Sequence, residues 1–116
     1  MTISYFVLYR GVSADQERFT THYRNIHVPI LLEFPGILGV CLHTPVTFSD
    51  TKSVVRGGFA LIAQMEFADE TALFDALASE ARTRARRDME ANFPSFEGVV
   101  WHQATNTERH LNDHAR

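Results

Sequence analysis

The stretch ISYFVLY, residues 3–9, is apolar on both of its faces, and this feature constrains the fold more than any other. Its β-branched and aromatic residues favour a β-strand, in which side chains alternate between two faces. One face carries Ile3, Tyr5, Val7 and Tyr9, and the other carries Phe6 and Leu8. A sheet built on this strand must therefore be covered on both sides.

The rest of the pattern predicts two helices and three more strands. Ser13 and Gln16 have the spacing of a capping box that starts the first helix. The second helix is predicted to begin at the N-cap Asp69 and to end at Pro94. The further strands are predicted over residues 37–48, 59–67 and 99–104. The order β-α-β-β-α-β is that of a ferredoxin-like α+β domain, a four-stranded antiparallel sheet with both helices on one face.

Two helices cover only one face of such a sheet. Because the first strand is also apolar on its other face, the sequence predicts a homodimer in which two sheets pack together. Residues 1–105 are predicted to form the domain and residues 106–116 a polar C-terminal tail.

Composition excludes several classes of protein. The 116 residues, 45% of them hydrophobic, carry a net charge of -3, which fits one soluble domain and argues against a nucleic-acid footprint. A single cysteine, Cys41, cannot form an internal disulfide. The N-terminal apolar run is too short for a membrane span and lacks a basic leader. We therefore expect a cytoplasmic protein with no nucleic-acid or membrane partner.

The segment FTTHYRNIHVPILLEFPG, residues 19–36, contains the candidate site. Tyr23 and Ile26 lie on the buried stripe of the predicted first helix, and His27 flanks Tyr23. Pro29 lacks an amide hydrogen and disfavours helical geometry in the residue before it, so the helix is expected to end or kink just after His27. A titratable side chain is thus placed at the edge of a buried face.

This motif resembles the EthD family of small dimeric α/β-barrel proteins. The matching residues are Phe19, Tyr23, His27, Pro29, Pro35 and Gly36. The resemblance, which the element order extends over residues 3–104, implies two sheets that form a barrel across a dimer. It also implies a ligand pocket between the sheet and the helices of each subunit. EthD-like proteins are linked to bacterial breakdown of ethers, including ethyl tert-butyl ether, and of aromatic compounds, alongside oxidoreductase systems, and some relatives are lactone isomerases.

His27 and Tyr23 are the candidate catalytic residues. A histidine, with an ordinary pKa of about 6.5, can accept and return a proton near neutrality. A tyrosine one turn away can hold the histidine tautomer or donate to a developing oxyanion. The structural alternative is that His27 caps the C-terminus of the helix. The predicted substrate-binding residues are Phe6, Phe19, Phe34, Phe74 and Trp101, which suit an apolar small molecule.

Cofactor and metal motifs are missing from the sequence. It contains no phosphate-binding glycine loop, dinucleotide fingerprint or Gly-x-Ser-x-Gly elbow, so we expect no cofactor. The remaining histidines of the predicted domain, His22, His43 and His102, have no ligand spacing that predicts a metal site, and the strand register that would place the last two is not fixed by the sequence.

Four arginines lie on the second predicted helix, at positions 82, 84, 86 and 87. Nearby acidic residues predict an ion-paired, solvated face, although one of these arginines can reach an anionic substrate.

Two functions remain open from the sequence. The first is a cofactor-independent enzyme of the isomerase, lyase or oxidoreductase-associated type, which transfers a proton on an apolar or aromatic-like carbonyl compound through His27. The second is a non-catalytic dimer that binds a small molecule and accompanies an oxygenase system. Haem binding, as in distant barrel proteins, is a third possibility.

Overall fold

Four strands form one antiparallel sheet in the computed structural model, which describes residues 1–113. The strands are β1 (Thr2–Ser13), β2 (Ile37–His43), β3 (Phe59–Phe67) and β4 (Phe96–Thr107). Their spatial order is β2-β3-β1-β4, and every neighbouring pair is antiparallel. The predicted ferredoxin-like arrangement is confirmed.

The connections carry five helical segments. They are α1 (Gln16–His22), a π-helical turn (Tyr23–His27), α2 (Val28–Leu31), α3 (Glu70–Leu77) and α4 (Glu80–Asn92). The first helix was predicted to end or kink after His27. The chain does not leave the helix there, because Val28 is helical, with φ -56° and ψ -45°, but the π-helical segment ends at His27 and an ordinary helix begins at Val28. Its amide donates to the carbonyl of Tyr23, five residues back, as in a π-helix. Pro29 is then the second residue of α2, where a missing amide hydrogen costs little.

The predicted capping box at the start of α1 is also wrong. Asp15 is the N-cap, and the amide of Arg18 donates to its Oδ1 at 3.0 Å. The Ser13 hydroxyl accepts from the amide of Asp15 at 3.3 Å, and the side chain of Gln16 donates to the carbonyl of Ala60 at 2.9 Å. Gln16 therefore ties α1 to the sheet.

The second predicted helix is divided in two. Asp69 is its N-cap as predicted, but Ser79 interrupts it and caps α4, accepting from the amide of Arg82 at 3.4 Å. Among the strands, β2 is shorter than predicted, whereas β4 continues through Thr107, two residues into the predicted tail. Residues 114–116 of that tail lie outside the described residues. No described helix is both long enough and apolar enough to cross a membrane.

The helices cover one face of the sheet. The buried side chains of this covered face include Ile3, Tyr5, Val7, Tyr9, Leu61, Ala63, Met65 and Phe67. The opposite face, here called the outer face, has an apolar group formed by Phe6, Leu8, Ile62 and Trp101. Leu8 lies opposite Ile62 on one side and Trp101 on the other, and the side chain of Trp101 is 45% exposed. The two-faced apolar character predicted for β1 is therefore present in the sheet.

Candidate functional site

A cavity lies between the covered face of the sheet and the helices. Its apolar walls include Val7, Leu31, Phe34, Met65, Leu77 and Met89. Its polar groups come from Tyr5, Tyr9, Tyr23, His27, Arg82, Arg86 and His102. The volume of the cavity that is open to the centre of a water molecule is about 50 Å³. All of its empty space, including the open mouth, is about 460 Å³. Apolar walls with a few polar groups are typical of small-molecule sites.

His27 is bonded to a buried carboxylate. The π-helical turn carries His27 to the floor of the cavity, where the residue is 4% exposed. Its Nδ1 atom lies 2.8 Å from Oδ2 of Asp88 on α4. An ionised carboxylate only accepts hydrogen bonds, so Nδ1 carries the proton of the neutral ring and Nε2 keeps a lone pair.

The Nε2 atom of His27 is open to the cavity. Among the described residues, every fully buried side-chain nitrogen or oxygen has a hydrogen-bond partner. In the ring of His27, Nδ1 has a partner and Nε2 has none, so Nε2 is not fully buried. Because His27 lines the cavity, we infer that Nε2 opens onto it.

Asp88 accepts hydrogen bonds from three side chains. Besides His27, Nε2 of His22 lies 2.9 Å from its Oδ1, and Nδ2 of Asn92 donates to Oδ1 at 2.8 Å. Burial raises the pKa of Asp88, but the bonds from Asn92, His27 and His22 outweigh this and lower the pKa below its ordinary value. Asp88 is therefore ionised at neutral pH and orients the ring of His27.

The environment keeps His27 neutral. Burial lowers the pKa of His27, and the bond to Asp88 offsets only part of this effect. The rings of Tyr23 and Phe93 flank the imidazole, with centroids 4.6 Å and 4.9 Å away. A neutral imidazole with a free Nε2 is the form that accepts a proton.

Two tyrosines, Tyr9 and Tyr23, line the same cavity as this imidazole, and their hydroxyls bond each other. Burial raises the pKa of Tyr9 to about 12, and burial together with the neighbouring Tyr9 and Asp88 raises the pKa of Tyr23 well above its ordinary value. Both hydroxyls therefore stay protonated over the physiological range, and because one of them bonds the other, the pair has one hydroxyl proton left to donate to an oxyanion.

A second imidazole faces the same cavity. The hydroxyl of Tyr5 lies 2.6 Å from Nδ1 of His102, across the ladder between β1 and β4. Burial, and then the charges of Arg82 and Arg86, lower the pKa of His102. The ring is therefore neutral near pH 7.

The structure brings together only part of the predicted site. His27, Tyr23 and Phe34 line the cavity, and Phe19 lies directly behind Tyr23, with ring centroids 5.9 Å apart. The other three predicted substrate-binding residues do not reach the cavity. Phe6 and Trp101 lie on the outer face, and Phe74 is 63% exposed.

Asp88, Tyr5 and Tyr9 were not predicted from the sequence as members of the site, and the position of His102 was not predicted. The sequence does indicate Asp88, because it follows Ala81 and Ala85 on the buried stripe of α4. A buried carboxylate is costly unless other side chains bond to it, so partners should be expected there. Tyr5 and His102 meet only through the register of β1 with β4, which no local pattern specifies. Among the described residues, no group of three or more His, Cys, Asp or Glu side chains is arranged to hold a metal ion.

The chain is similar to known proteins in sequence and in fold. Residues 13–97 match the model of the EthD domain. The structure is similar to that of an ethyl tert-butyl ether D (EthD) family protein from Bacillus halodurans, with a TM-score of 0.73 and 19% identity over 93% of this chain and 100% of that chain. An EthD-like protein from Ralstonia eutropha has a TM-score of 0.67 and 13% identity over 94% of this chain and 96% of that chain.

A third similar structure is a monooxygenase from Streptomyces coelicolor in complex with nanaomycin D, with a TM-score of 0.66 and 14% identity over 96% of this chain and 91% of that chain. At such low identities the structural likeness shows the fold alone. No curated protein sequence matches this chain.

Proposed function

Since this chain belongs to the EthD family, we propose that it is a cofactor-independent enzyme that moves a proton on a small aromatic-like carbonyl compound, with His27 as the general base. One observation carries the proposal. A buried carboxylate, Asp88, holds the Nδ1 proton of His27 and leaves Nε2 open to an apolar cavity. A histidine that caps its own helix would instead direct a ring nitrogen at a backbone carbonyl.

The proposed step is abstraction of a proton from the carbon next to the substrate carbonyl. Nε2 of His27 takes the proton, and the electron pair of the broken C–H bond forms an enolate with its charge on the carbonyl oxygen. The resulting imidazolium is stabilised by Asp88, as a carboxylate does in other acid–base dyads. Return of the proton to a different carbon completes an isomerisation. The same enolate serves cyclisation or dehydration.

We assign the stabilisation of the enolate oxygen to Tyr23 with Tyr9. Both hydroxyls are protonated and line the cavity on which Nε2 opens. In this proposal Phe34 packs against the substrate, and Phe19 supports Tyr23 from behind. Preorganised donors of this kind contribute several kcal/mol in acyl and enolate chemistry, about 3 kcal/mol for a single donor.

We also propose that the protein acts as a homodimer through its outer face. The half-buried Phe6, Leu8 and Ile62 and the more exposed Trp101 form an apolar group on a face that the helices do not cover. A second copy packed on it removes this surface from water and closes the two sheets into a barrel. The setting proposed is bacterial catabolism of ethers or aromatic compounds in the cytoplasm.

Hydrogen–deuterium exchange tests the enzyme directly. We expect the protein to catalyse exchange of the enolisable hydrogens of β-tetralone in D2O, followed by NMR, and His27→Ala to lower the rate by about 10² to 10⁴. The matched control is His110→Ala, which removes an exposed imidazole bonded to Glu108, away from the cavity and from the outer face. Equal exchange rates for His27→Ala and the unmutated protein would contradict the proposal. Binding of the ketone without catalysed exchange would support the second function, a non-catalytic binding dimer.

A further inference from the structure

Two arginines of α4 face the cavity without an acidic partner. Arg82 and Arg86 both line it. Among residues 1–113 neither guanidinium forms an ion pair, and the guanidinium of Arg82 has one hydrogen bond, to the carbonyl of Leu77 at 3.4 Å. By contrast, Arg84 on the same helix pairs with Glu33 at 2.6 Å. The ion pairs expected along this helix are therefore not formed by the two arginines that face the cavity.

The buried carboxylate of the same helix does not pair with either arginine. Asp88 lies two residues after Arg86 and six after Arg82, and its oxygens accept from His22, His27 and Asn92. Arg82 is half-buried, and apolar walls beside a cation reduce the screening of its charge by water. An unpaired cation in such a position favours a bound anion.

The positive charge acts on one side of the cavity. Arg82 and Arg86 are the charged residues that perturb both Tyr5 and His102, lowering the pKa of each below the value that burial alone gives. The Tyr5 hydroxyl and the His102 ring add hydrogen-bonding groups on that side. We call these four residues the cationic side of the cavity.

We propose that the cavity binds an aromatic carboxylate, with the carboxylate held on the cationic side by Arg82 and Arg86 and the ring against the apolar walls. A guanidinium offers two parallel donors that match a carboxylate. This inference rests on the proposed function in sharing its cavity, and it names the substrate class, an aromatic carbonyl compound that also carries a carboxylate.

The test compares benzoate with benzamide, which has nearly the same shape and no charge. We expect calorimetric titration to show benzoate binding roughly tenfold more tightly, which corresponds to about 1.4 kcal/mol, because only the charged carboxylate forms charge-assisted hydrogen bonds with the arginines. The preference should decrease at high ionic strength, since the arginines are partly exposed to solvent.

Variants identify the residues responsible. Arg82→Gln with Arg86→Gln should bring the two affinities to within about twofold, and Arg86→Gln alone, at an exposed position, keeps the test valid if the double variant fails to fold. The matched control is Arg87→Gln, on the same helix but outside the cavity lining, which should keep the preference.

Three results would overturn the inference: equal affinities in the unmutated protein, a preference that survives in the arginine variants, or no saturable binding of benzoate up to about 10 mM. The benzoate measurement needs no turnover. His27→Ala should therefore keep the preference for benzoate while losing proton exchange, so failure of the chemistry and failure of the carboxylate site give different results.

Discussion

The Nδ1 atom of His27 lies 2.8 Å from Oδ2 of Asp88, joining the first helical region of the chain to the last helix. Sixty-one positions separate the two residues, and both are buried. This bond fixes the proton on one nitrogen of the ring and leaves the other nitrogen facing the cavity.

Replacement of Asp88 by Asn should separate its positioning role from its structural role. Asn keeps the shape but loses the charge that stabilises an imidazolium, so we expect β-tetralone exchange to slow by roughly 10 to 10², and the free energy of unfolding to fall by about 1 to 3 kcal/mol. Because Asp88 raises the pKa of His27, the acidic limb of the pH–rate profile should also move to lower pH. A purely structural role would lower stability without moving that limb. Asp75→Asn, exposed on α3, is the control.

Stability should rise with pH up to about pH 6.5. The pKa values of His27 and His102 are both lowered in the folded protein, chiefly by burial. Between each folded pKa and the unfolded value of about 6.5, the unfolded chain binds more protons, so this contribution is complete above about pH 6.5 and is lost as the pH falls through the folded pKa. Urea unfolding at a series of pH values between about 7.5 and 5 measures the slope. His102→Gln should flatten it, and an unchanged slope would contradict the lowered pKa of His102.

The outer face should control assembly. We expect sedimentation to give twice the mass of one chain, and Leu8→Glu to give a single chain, because a charge placed opposite both Ile62 and Trp101 cannot be buried between two sheets without a partner. Trp101 is the only tryptophan, so its fluorescence should shift to longer wavelength as the dimer dissociates. Glu97→Gln, exposed on β4, is the control. A protein that sediments as one chain before mutation would contradict the proposed dimer.

The element order and the covered face of the sheet could be predicted from sequence, because they depend on local alternation. The residues Ile3, Tyr5, Val7 and Tyr9 were grouped correctly by the period of a strand alone. The break at Ser79 could not be found this way, since the apolar spacing continues across it. Tyr23 and His27 were placed at the cavity by their positions in the motif, whereas the partners of His27 and Tyr5 come from distant segments.

The π-helical turn explains one further error. The rule that a proline ends the preceding helix is local, and it does not include a widened turn that leaves the proline near the start of the next helical segment. Ile26, predicted on the buried stripe, is 48% exposed as a result, while His27 is buried. A period of 3.6 residues therefore assigns the wrong neighbour to the cavity at this point.

The widened turn also makes chain length, rather than residue identity, the constraint on this part of the protein. Arg24, Asn25 and Ile26 face solvent, so substitutions there leave the direction of the next side chain unchanged. Deleting any one of the three would remove the widened turn, so that Val28 would follow Tyr23 by the four residues of an ordinary helical turn. His27 would then follow Tyr23 by three residues instead of four, which changes its direction relative to Asp88. Natural variation in this segment should consequently consist of exchanges, with insertions and deletions confined to the loops.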